Sequence, residues 1–324
     1  MKEEEIRPES IFDEYLRLAK IDTKVFFDNA LREPIDCPAC GIKGEPAFNK
    51  HGFDYELCIN CDTLFVSPRP VNDAFICYYS NAPSTEYWAT TFYKATADAR
   101  REKLWRPKAQ LIHDMCERFG LGNEEVIDIG GGYGIFAEEV FSLFGRKTTI
   151  IEPGIHLAKS CRDRGLNVVE KFLEEVRAND LPKGRKVFVS FELFEHLHSP
   201  EIFLKQLYKL MTPGDLFIFT TLSGTGIDIQ GLWEDSKSVS PPHHLNFFNP
   251  HSIKILIERT GLKVLQVTTP GKLDMDILSS NINLIKDRFL KTLVKYASDT
   301  EKLKWQKLIS DSGWSSHMMI CCQK

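Results

Sequence analysis

Residues 126–134 read VIDIGGGYG, and this stretch decides the fold. A short apolar run with one acid leads into a cluster of glycines, and residues 135–144 continue as a mostly apolar, helix-like segment. Glycine lets the backbone turn sharply and approach a bound molecule closely. The helix that follows directs its free N–H groups at that molecule. The stretch therefore predicts a β-strand, a ligand-binding turn and an α-helix.

A second predicted strand, residues 148–151, ends on an acid, Glu152. An acidic residue at this place in a parallel sheet can accept hydrogen bonds from both hydroxyls of a ribose. Together with the glycine turn, Glu152 predicts a site for a cofactor that carries a nucleoside.

Strand-like and helix-like segments alternate beyond residue 124, which indicates an α/β fold with a mostly parallel sheet and helices on both faces. The seven predicted strands are 125–130, 148–152, 166–170, 186–191, 216–222, 263–268 and 316–322. The chain divides into an N-terminal helical segment (1–33), a cysteine-rich module (34–70), a helical lid or linker (71–120), and a sheet domain (121–324) with a helical insertion at 270–313.

Two cysteine pairs, Cys37/Cys40 and Cys58/Cys61, give the pattern C-x2-C-x17-C-x2-C. This spacing is typical of a four-thiolate zinc site, in which each pair occupies a tight turn. Because four thiolates leave no open coordination position, we expect the metal to be structural. The module holds too few large apolar residues to fold alone, so the zinc would stabilise it.

Composition excludes several classes of protein. The 324 residues are 43% hydrophobic and 27% charged, as in ordinary globular proteins, and the formal net charge of −4 gives no support to nucleic-acid binding. The acidic start is unlike a signal peptide, and no apolar run is long enough to span a bilayer. Nine cysteines, an odd number, indicate reduced thiols and a cytoplasmic protein.

Two cofactors are compatible with the glycine turn. A dinucleotide needs G-x-G-x-x-G or a close variant; the match from Gly132 to Ala137 begins two residues beyond the strand. The pattern Asp128-x-Gly130-x-Gly132-x-Gly134 instead resembles the first motif of class I S-adenosylmethionine-dependent methyltransferases. This resemblance implies a Rossmann-like seven-stranded sheet whose last strand is antiparallel, with Asp128 and the three glycines beside the cofactor.

Further segments resemble the same family in the expected order. The resemblance implies that Glu152 binds the ribose, that Glu174 contacts the adenine or lies solvated on a helix, and that Phe191 and Glu192 line the cofactor. Residues 210–215, LMTPGD, resemble the turn that precedes the family's fifth strand.

The cysteine pairs followed by FVSPRP at 65–70 are similar to the sugar methyltransferases of deoxysugar and polysaccharide pathways. This similarity implies a small sugar-like or nucleotide-linked acceptor. The C-methylating members continue into a further domain after their last strand, which this chain does not do. O-methyltransferases of quinone type share the core but generally lack the zinc module.

Methyl transfer to oxygen or carbon also needs a base, and histidine is suited to this task near neutral pH. Residues 240–248, SPPHHLNFF, follow the fifth strand and offer His243 and His244. His196 follows the fourth strand and is the next candidate, although it could instead cap the adjacent helix. One of the two adjacent histidines is expected to face away from the site.

Other hypotheses remain open at this stage. Gly132-x-Gly134-x-x-Ala137 is compatible with an NAD-dependent oxidoreductase or epimerase, and a non-catalytic binding module is a third interpretation. The aromatic run from Tyr87 to Tyr93 covers the cofactor or packs in the core, and residues 270–313 form a substrate cover or a homodimer surface.

Overall fold

A computed structural model describes residues 3–324. Its strands are β1 (Arg32–Glu33), β2 (Gly44–Lys50), β3 (Phe53–Cys58), β4 (Leu64–Val66), β5 (Arg69–Pro70), β6 (Glu125–Ile129), β7 (Thr148–Ile151), β8 (Asn167–Val169), β9 (Lys186–Phe191), β10 (Leu216–Leu222), β11 (Asn246–Phe247), β12 (Lys263–Thr268) and β13 (His317–Gln323). Its α-helices are α1 (Glu9–Phe27), α2 (Asn72–Asn81), α3 (Pro83–Tyr87), α4 (Tyr93–Arg100), α5 (Arg106–Arg118), α6 (Ile135–Phe144), α7 (Ile155–Asp163), α8 (Pro200–Leu210), α9 (Ile227–Leu232), α10 (Ser252–Arg259), α11 (Asp274–Ser280), α12 (Arg288–Tyr296) and α13 (Asp299–Asp311).

The seven predicted strands pair into one sheet in the order β12-β13-β10-β9-β6-β7-β8. The five strands from β10 to β8 run parallel, and β13 is antiparallel to both of its neighbours. Every residue of β9 is buried, as expected for the middle of a parallel sheet covered on both faces. The predicted fold class, including the antiparallel last strand, is confirmed.

The glycine turn forms where β6 ends. Gly132 and Gly134 have φ angles of 54° and 74°, in the left-handed region that favours glycine. A Cβ atom on Gly134 would lie 2.6 Å from the Leu166 side chain. Glycine at this position avoids the clash and lets α6 begin at the next residue. The turn therefore lies at the carboxyl end of the parallel strands, where ligands bind in such sheets.

A second sheet, in the order β11-β4-β3-β2, carries the cysteine module. Strand β11 comes from the loop that contains His243 and His244, and it pairs antiparallel with β4. Three of the four cysteines pack in the same hydrophobic cluster as Phe194 and Phe248. The module predicted at 34–70 therefore shares both its sheet and its core with the larger domain.

Helices α1 and α3–α5 precede the main sheet in the chain, and α11–α13 form the insertion. α3, α4 and α5 are joined by two π-helical turns, Trp88–Phe92 and Arg101–Trp105. α1 packs on this segment through Phe12 and Phe92, whose ring centroids are 6.2 Å apart. The insertion is helical, as predicted, and α11–α13 pack on α9 around a small core of their own. Within residues 3–324, no helix is both long enough and apolar enough to cross a membrane.

Candidate functional site

The glycine turn is fixed by Glu152, which lies just after β7. The Gly132 N–H donates to Glu152 Oε2 (3.0 Å), and the Gly154 N–H donates to Oε1 (2.8 Å). Burial raises the pKa of the Glu152 carboxyl, although these two backbone hydrogen bonds oppose the shift. The Glu152 carboxylate, which is predicted to bind a ribose, thus lies beside the turn, and the residue is 7% exposed. Each of its oxygens can accept a further hydrogen bond.

Asp128, on β6, presents a carboxylate with an unsatisfied oxygen. Its Oδ2 atom is buried and has no hydrogen-bond partner in the part of the chain described. Burial and the nearby Glu152 raise the pKa of Asp128 to about 7. A buried acceptor without a partner is costly, so this position favours a ligand that donates a hydrogen bond.

A pocket opens above the glycine turn and is walled by aromatic side chains. Its lining includes Asp128, Tyr93, Trp105 and Phe191. Tyr93 stacks on Tyr133 with ring centroids 6.0 Å apart, so α4 covers the turn. Of the aromatic run, Tyr93 faces the pocket, whereas Trp88 and Phe92 stack on each other in the α1 cluster. The sequence showed the aromatic run but could not tell these two environments apart.

Glu192 follows β9 in a conformation rare for a non-glycine residue, with φ of 53°. Its Oε1 atom accepts from the Thr220 hydroxyl (2.8 Å) and lies 3.4 Å from His317 Nδ1 and 3.7 Å from Lys108 Nζ. Although burial opposes the shift, His317, Lys108 and Thr220 lower the pKa of Glu192 to about 2. Sequence reasoning missed His317 and Lys108, which come from distant segments.

The three candidate bases form one cluster. The His196 ring lies 4.8 Å from the His244 ring and 5.9 Å from the His243 ring. Burial lowers the pKa of His243 to about 3 and that of His244 to about 4, and it lowers the pKa of His196 strongly. All three imidazoles are therefore neutral at neutral pH, and each has one unprotonated ring nitrogen.

The two adjacent histidines differ in their hydrogen bonds. His243 Nε2 lies 2.6 Å from the buried Tyr78 hydroxyl. His244 Nδ1 lies 2.5 Å from the Ser238 carbonyl oxygen, so Nδ1 is the protonated nitrogen and Nε2 keeps its lone pair. The Tyr55 hydroxyl donates to the His244 carbonyl oxygen (2.7 Å), which attaches this loop to β3 of the cysteine module. The arrangement favours His244 over His243 as the proton acceptor.

Glu195 is a further acidic group of this cluster that the sequence did not single out as a site residue. It is 1% exposed, accepts from the Thr221 hydroxyl (2.9 Å), and has ligand atoms within 4.8 Å of those of His196 and His244. Burial and Glu192 raise the pKa of Glu195 to about 8, so this carboxyl is mostly protonated at neutral pH. Glu174, by contrast, is exposed in a short 3₁₀ turn (Leu173–Glu175), and its adenine contact stays a prediction.

The four predicted metal ligands converge. The Sγ atoms of Cys37 and Cys61 are 3.6 Å apart, and those of Cys40 and Cys58 are 3.4 Å apart. All four sulfur atoms lie within 4.8 Å of one another. Tetrahedral coordination with Zn–S bonds of about 2.3 Å needs sulfur–sulfur distances of roughly 3.8 Å, so the thiols fit a zinc ion after a small adjustment.

The family profile described as "Methyltransferase domain" matches residues 97–267. Curated relatives include a ubiquinone biosynthesis O-methyltransferase of Pseudomonas savastanoi pv. phaseolicola, 28% identical over 38% of this chain and 56% of the relative. A malonyl-[acyl-carrier protein] O-methyltransferase of Chlorobium luteolum is 30% identical over 49% of this chain and 72% of the relative. The chain thus spans little more than half the length of the first of these relatives.

Among solved structures, the plantazolicin methyltransferase BamL, in complex with a triazolic desmethylPZN analogue and SAH, superposes with a TM-score of 0.50 at 13% identity. The superposition covers 76% of this chain and 92% of BamL. At this identity the likeness concerns the fold, and it agrees with the seven-stranded sheet. The oxidoreductase interpretation receives no support from any of these matches.

Proposed function

The chain belongs to the family of methyltransferase domains, and we propose that it transfers the methyl group of S-adenosylmethionine to an oxygen or carbon atom of a small sugar-like acceptor. The observation that carries this proposal is the position of the neutral His244 cluster next to Glu192, at the same end of the sheet as the glycine turn and Glu152. One region thus offers a cofactor cradle and a proton acceptor.

The residues around the turn fit S-adenosylmethionine. Glu152 can accept hydrogen bonds from ribose hydroxyls, and the unpartnered Asp128 oxygen can accept one from a hydroxyl or ammonium group. Tyr93, Trp105 and Phe191 line the pocket and would shield a bound cofactor from water. The cofactor supplies an activated methyl group, so the protein needs mainly to align the acceptor and remove its proton.

The acceptor can be tested with a labelled methyl donor and a panel of nucleotide-linked sugars, free sugars and quinols. We expect label to appear in at least one sugar compound and to disappear when S-adenosylhomocysteine is added in excess. Transfer to quinols alone would contradict the sugar proposal and would favour the second candidate, an aromatic O-methyltransferase, which the names of the ubiquinone-pathway relatives motivate. Absence of transfer and of S-adenosylhomocysteine binding would overturn methyl transfer itself.

We also infer that Cys37, Cys40, Cys58 and Cys61 hold a structural zinc ion. Four convergent sulfur donors suit Zn²⁺ and fill its coordination shell. The module's sheet includes β11, so zinc would stabilise the loop that carries His244 as well as the module itself.

All nine cysteines are unpaired, which supports our proposal of a cytoplasmic location. We propose no nucleic-acid or membrane partner, and leave a homodimer as a hypothesis.

Replacing Cys58 with serine is expected to remove the zinc and to lower both the melting temperature and the methyl-transfer rate, because the metal contributes folding free energy to the module. Elemental analysis and thermal unfolding measure the effect. Cys77→Ser, at an exposed cysteine outside the cluster, is the matched control and should retain the metal. Freshly purified wild-type protein without zinc would refute the assignment.

A further inference from the structure

Arg100, the last residue of α4, is a buried cation with no acidic side chain within 4 Å among residues 3–324. Its side chain is only 6% exposed, and its Nε atom has no hydrogen-bond partner among residues 3–324. The guanidinium lies over the rings of Phe92 and Tyr93, with its Cζ atom 5.8 and 5.6 Å from their centroids. The Nε–H donor of this desolvated guanidinium is therefore unused and available to another group.

A second guanidinium, that of Arg7, lies on the same aromatic cluster. Its Cζ atom is 5.5 Å from the Phe12 centroid, and Phe12 packs against Phe92. The Nε atom of Arg7 is also buried without a partner in the described chain, and its acidic neighbour Glu3 is 3.7 Å away. Two like charges on one aromatic cluster repel each other, and an anion between them would remove this cost.

Aromatic side chains connect Arg100 to the cofactor pocket and Arg7 to the histidine cluster. Tyr93, which Arg100 covers, lines the pocket above the glycine turn. Arg7 lies over Phe12, which stacks on Tyr15, and the Tyr15 ring centroid is 5.5 Å from that of His243, so these aromatic rings connect Arg7 to the histidine cluster. Lys108 and Arg7 each have an acid 3.7 Å away, Glu192 and Glu3 respectively, whereas no acid lies within 4 Å of Arg100 in the described chain. The unused donors are therefore the buried Nε–H groups of Arg7 and Arg100.

We propose that Arg7 and Arg100 form a subsite for an oxyanion of the acceptor, such as the phosphate or diphosphate of a phosphorylated or nucleotide-linked sugar. This inference rests on the proposed function, since it specifies the class of acceptor. Guanidinium groups suit phosphoryl oxygens because they present several donors in a fixed fork. The other source of an oxyanion in this pocket is the carboxylate of the cofactor, and the experiment must separate the two.

The probe is inorganic pyrophosphate, titrated calorimetrically into the protein with and without bound S-adenosylhomocysteine. We expect binding by the wild type and a loss of affinity of about tenfold or more in Arg100→Met, since a hydrogen bond to a charged group is removed. Arg118→Met, at an exposed arginine of α5, should bind pyrophosphate as the wild type does. Arg7→Met, at a partly exposed residue, repeats the test if Arg100→Met does not fold.

The two sources of the oxyanion are distinguished with S-adenosylhomocysteine and 5′-methylthioadenosine, which lacks the amino-acid carboxylate. If Arg100→Met weakens binding of the first compound and leaves that of the second unchanged, the arginine holds the cofactor, and the acceptor subsite is overturned. Equal pyrophosphate affinity in wild type and variants also overturns it. If the wild type does not bind S-adenosylhomocysteine, the proposed function is contradicted. This outcome is distinguishable from failure of the subsite, because pyrophosphate is also titrated in the absence of S-adenosylhomocysteine.

Discussion

Replacing His244 with alanine is expected to lower kcat for methyl transfer by about 10²- to 10⁴-fold, the usual contribution of a positioned general base. The expectation rests on one hydrogen bond. The Ser238 carbonyl oxygen holds the proton on Nδ1, so Nε2 carries the free electron pair. Because burial lowers the pKa of His244 to about 4, the ring is neutral at neutral pH and Nε2 is unprotonated. Binding of S-adenosylhomocysteine should be unchanged.

Three other histidine variants make this test specific. His251→Ala, at an exposed residue of the following turn, should behave as wild type. His243→Ala should lower the melting temperature, because it removes the buried contact with Tyr78. If His196→Ala abolishes transfer while His244→Ala does not, the proton acceptor is His196, and the choice based on the Ser238 hydrogen bond is wrong.

The main sheet could be predicted because its information is local. Each strand is a short apolar run, and the turn at Gly130–Gly134 is encoded by residues that neighbour one another in the chain. The same holds for α8, which begins at Pro200, a residue type suited to the first position of a helix. Such signals require no knowledge of distant partners.

The composition of the site could be predicted only in part, because much of it depends on contacts between distant segments. Nothing in residues 246–247 alone indicates that they pair with β4, about 180 residues earlier in the chain, yet this pairing connects His244 to the cysteine module. Likewise, Lys108 and His317 reach Glu192 only once the sheet has formed. Burial is the main cause that raises the pKa of Glu195 to about 8, and the burial of this side chain cannot be predicted from the sequence alone.

Replacing Glu152 with alanine is expected to weaken binding of S-adenosylhomocysteine by about 10²- to 10³-fold. The change removes a buried carboxylate that would accept hydrogen bonds from the ribose, and each such charge-assisted bond contributes about 1.5–3 kcal/mol. It also releases the N–H groups of Gly132 and Gly154, so the turn itself loses its support. Isothermal titration measures the affinity.

Two further variants separate the role of Glu152 in binding the cofactor from its role in supporting the turn. Glu152→Gln keeps one oxygen that can accept from Gly132 or Gly154, while its NH2 group faces the other N–H, so it should unfold between the wild-type and Glu152→Ala temperatures and bind S-adenosylhomocysteine at least about tenfold more weakly than the wild type. Glu258→Ala, at an exposed position of α10, controls for the loss of a glutamate and should leave binding unchanged. If Glu152→Ala binds S-adenosylhomocysteine as tightly as the wild type, the carboxylate serves only the turn. The ribose must then be held by another group, for which the unpartnered Asp128 oxygen is the available acceptor.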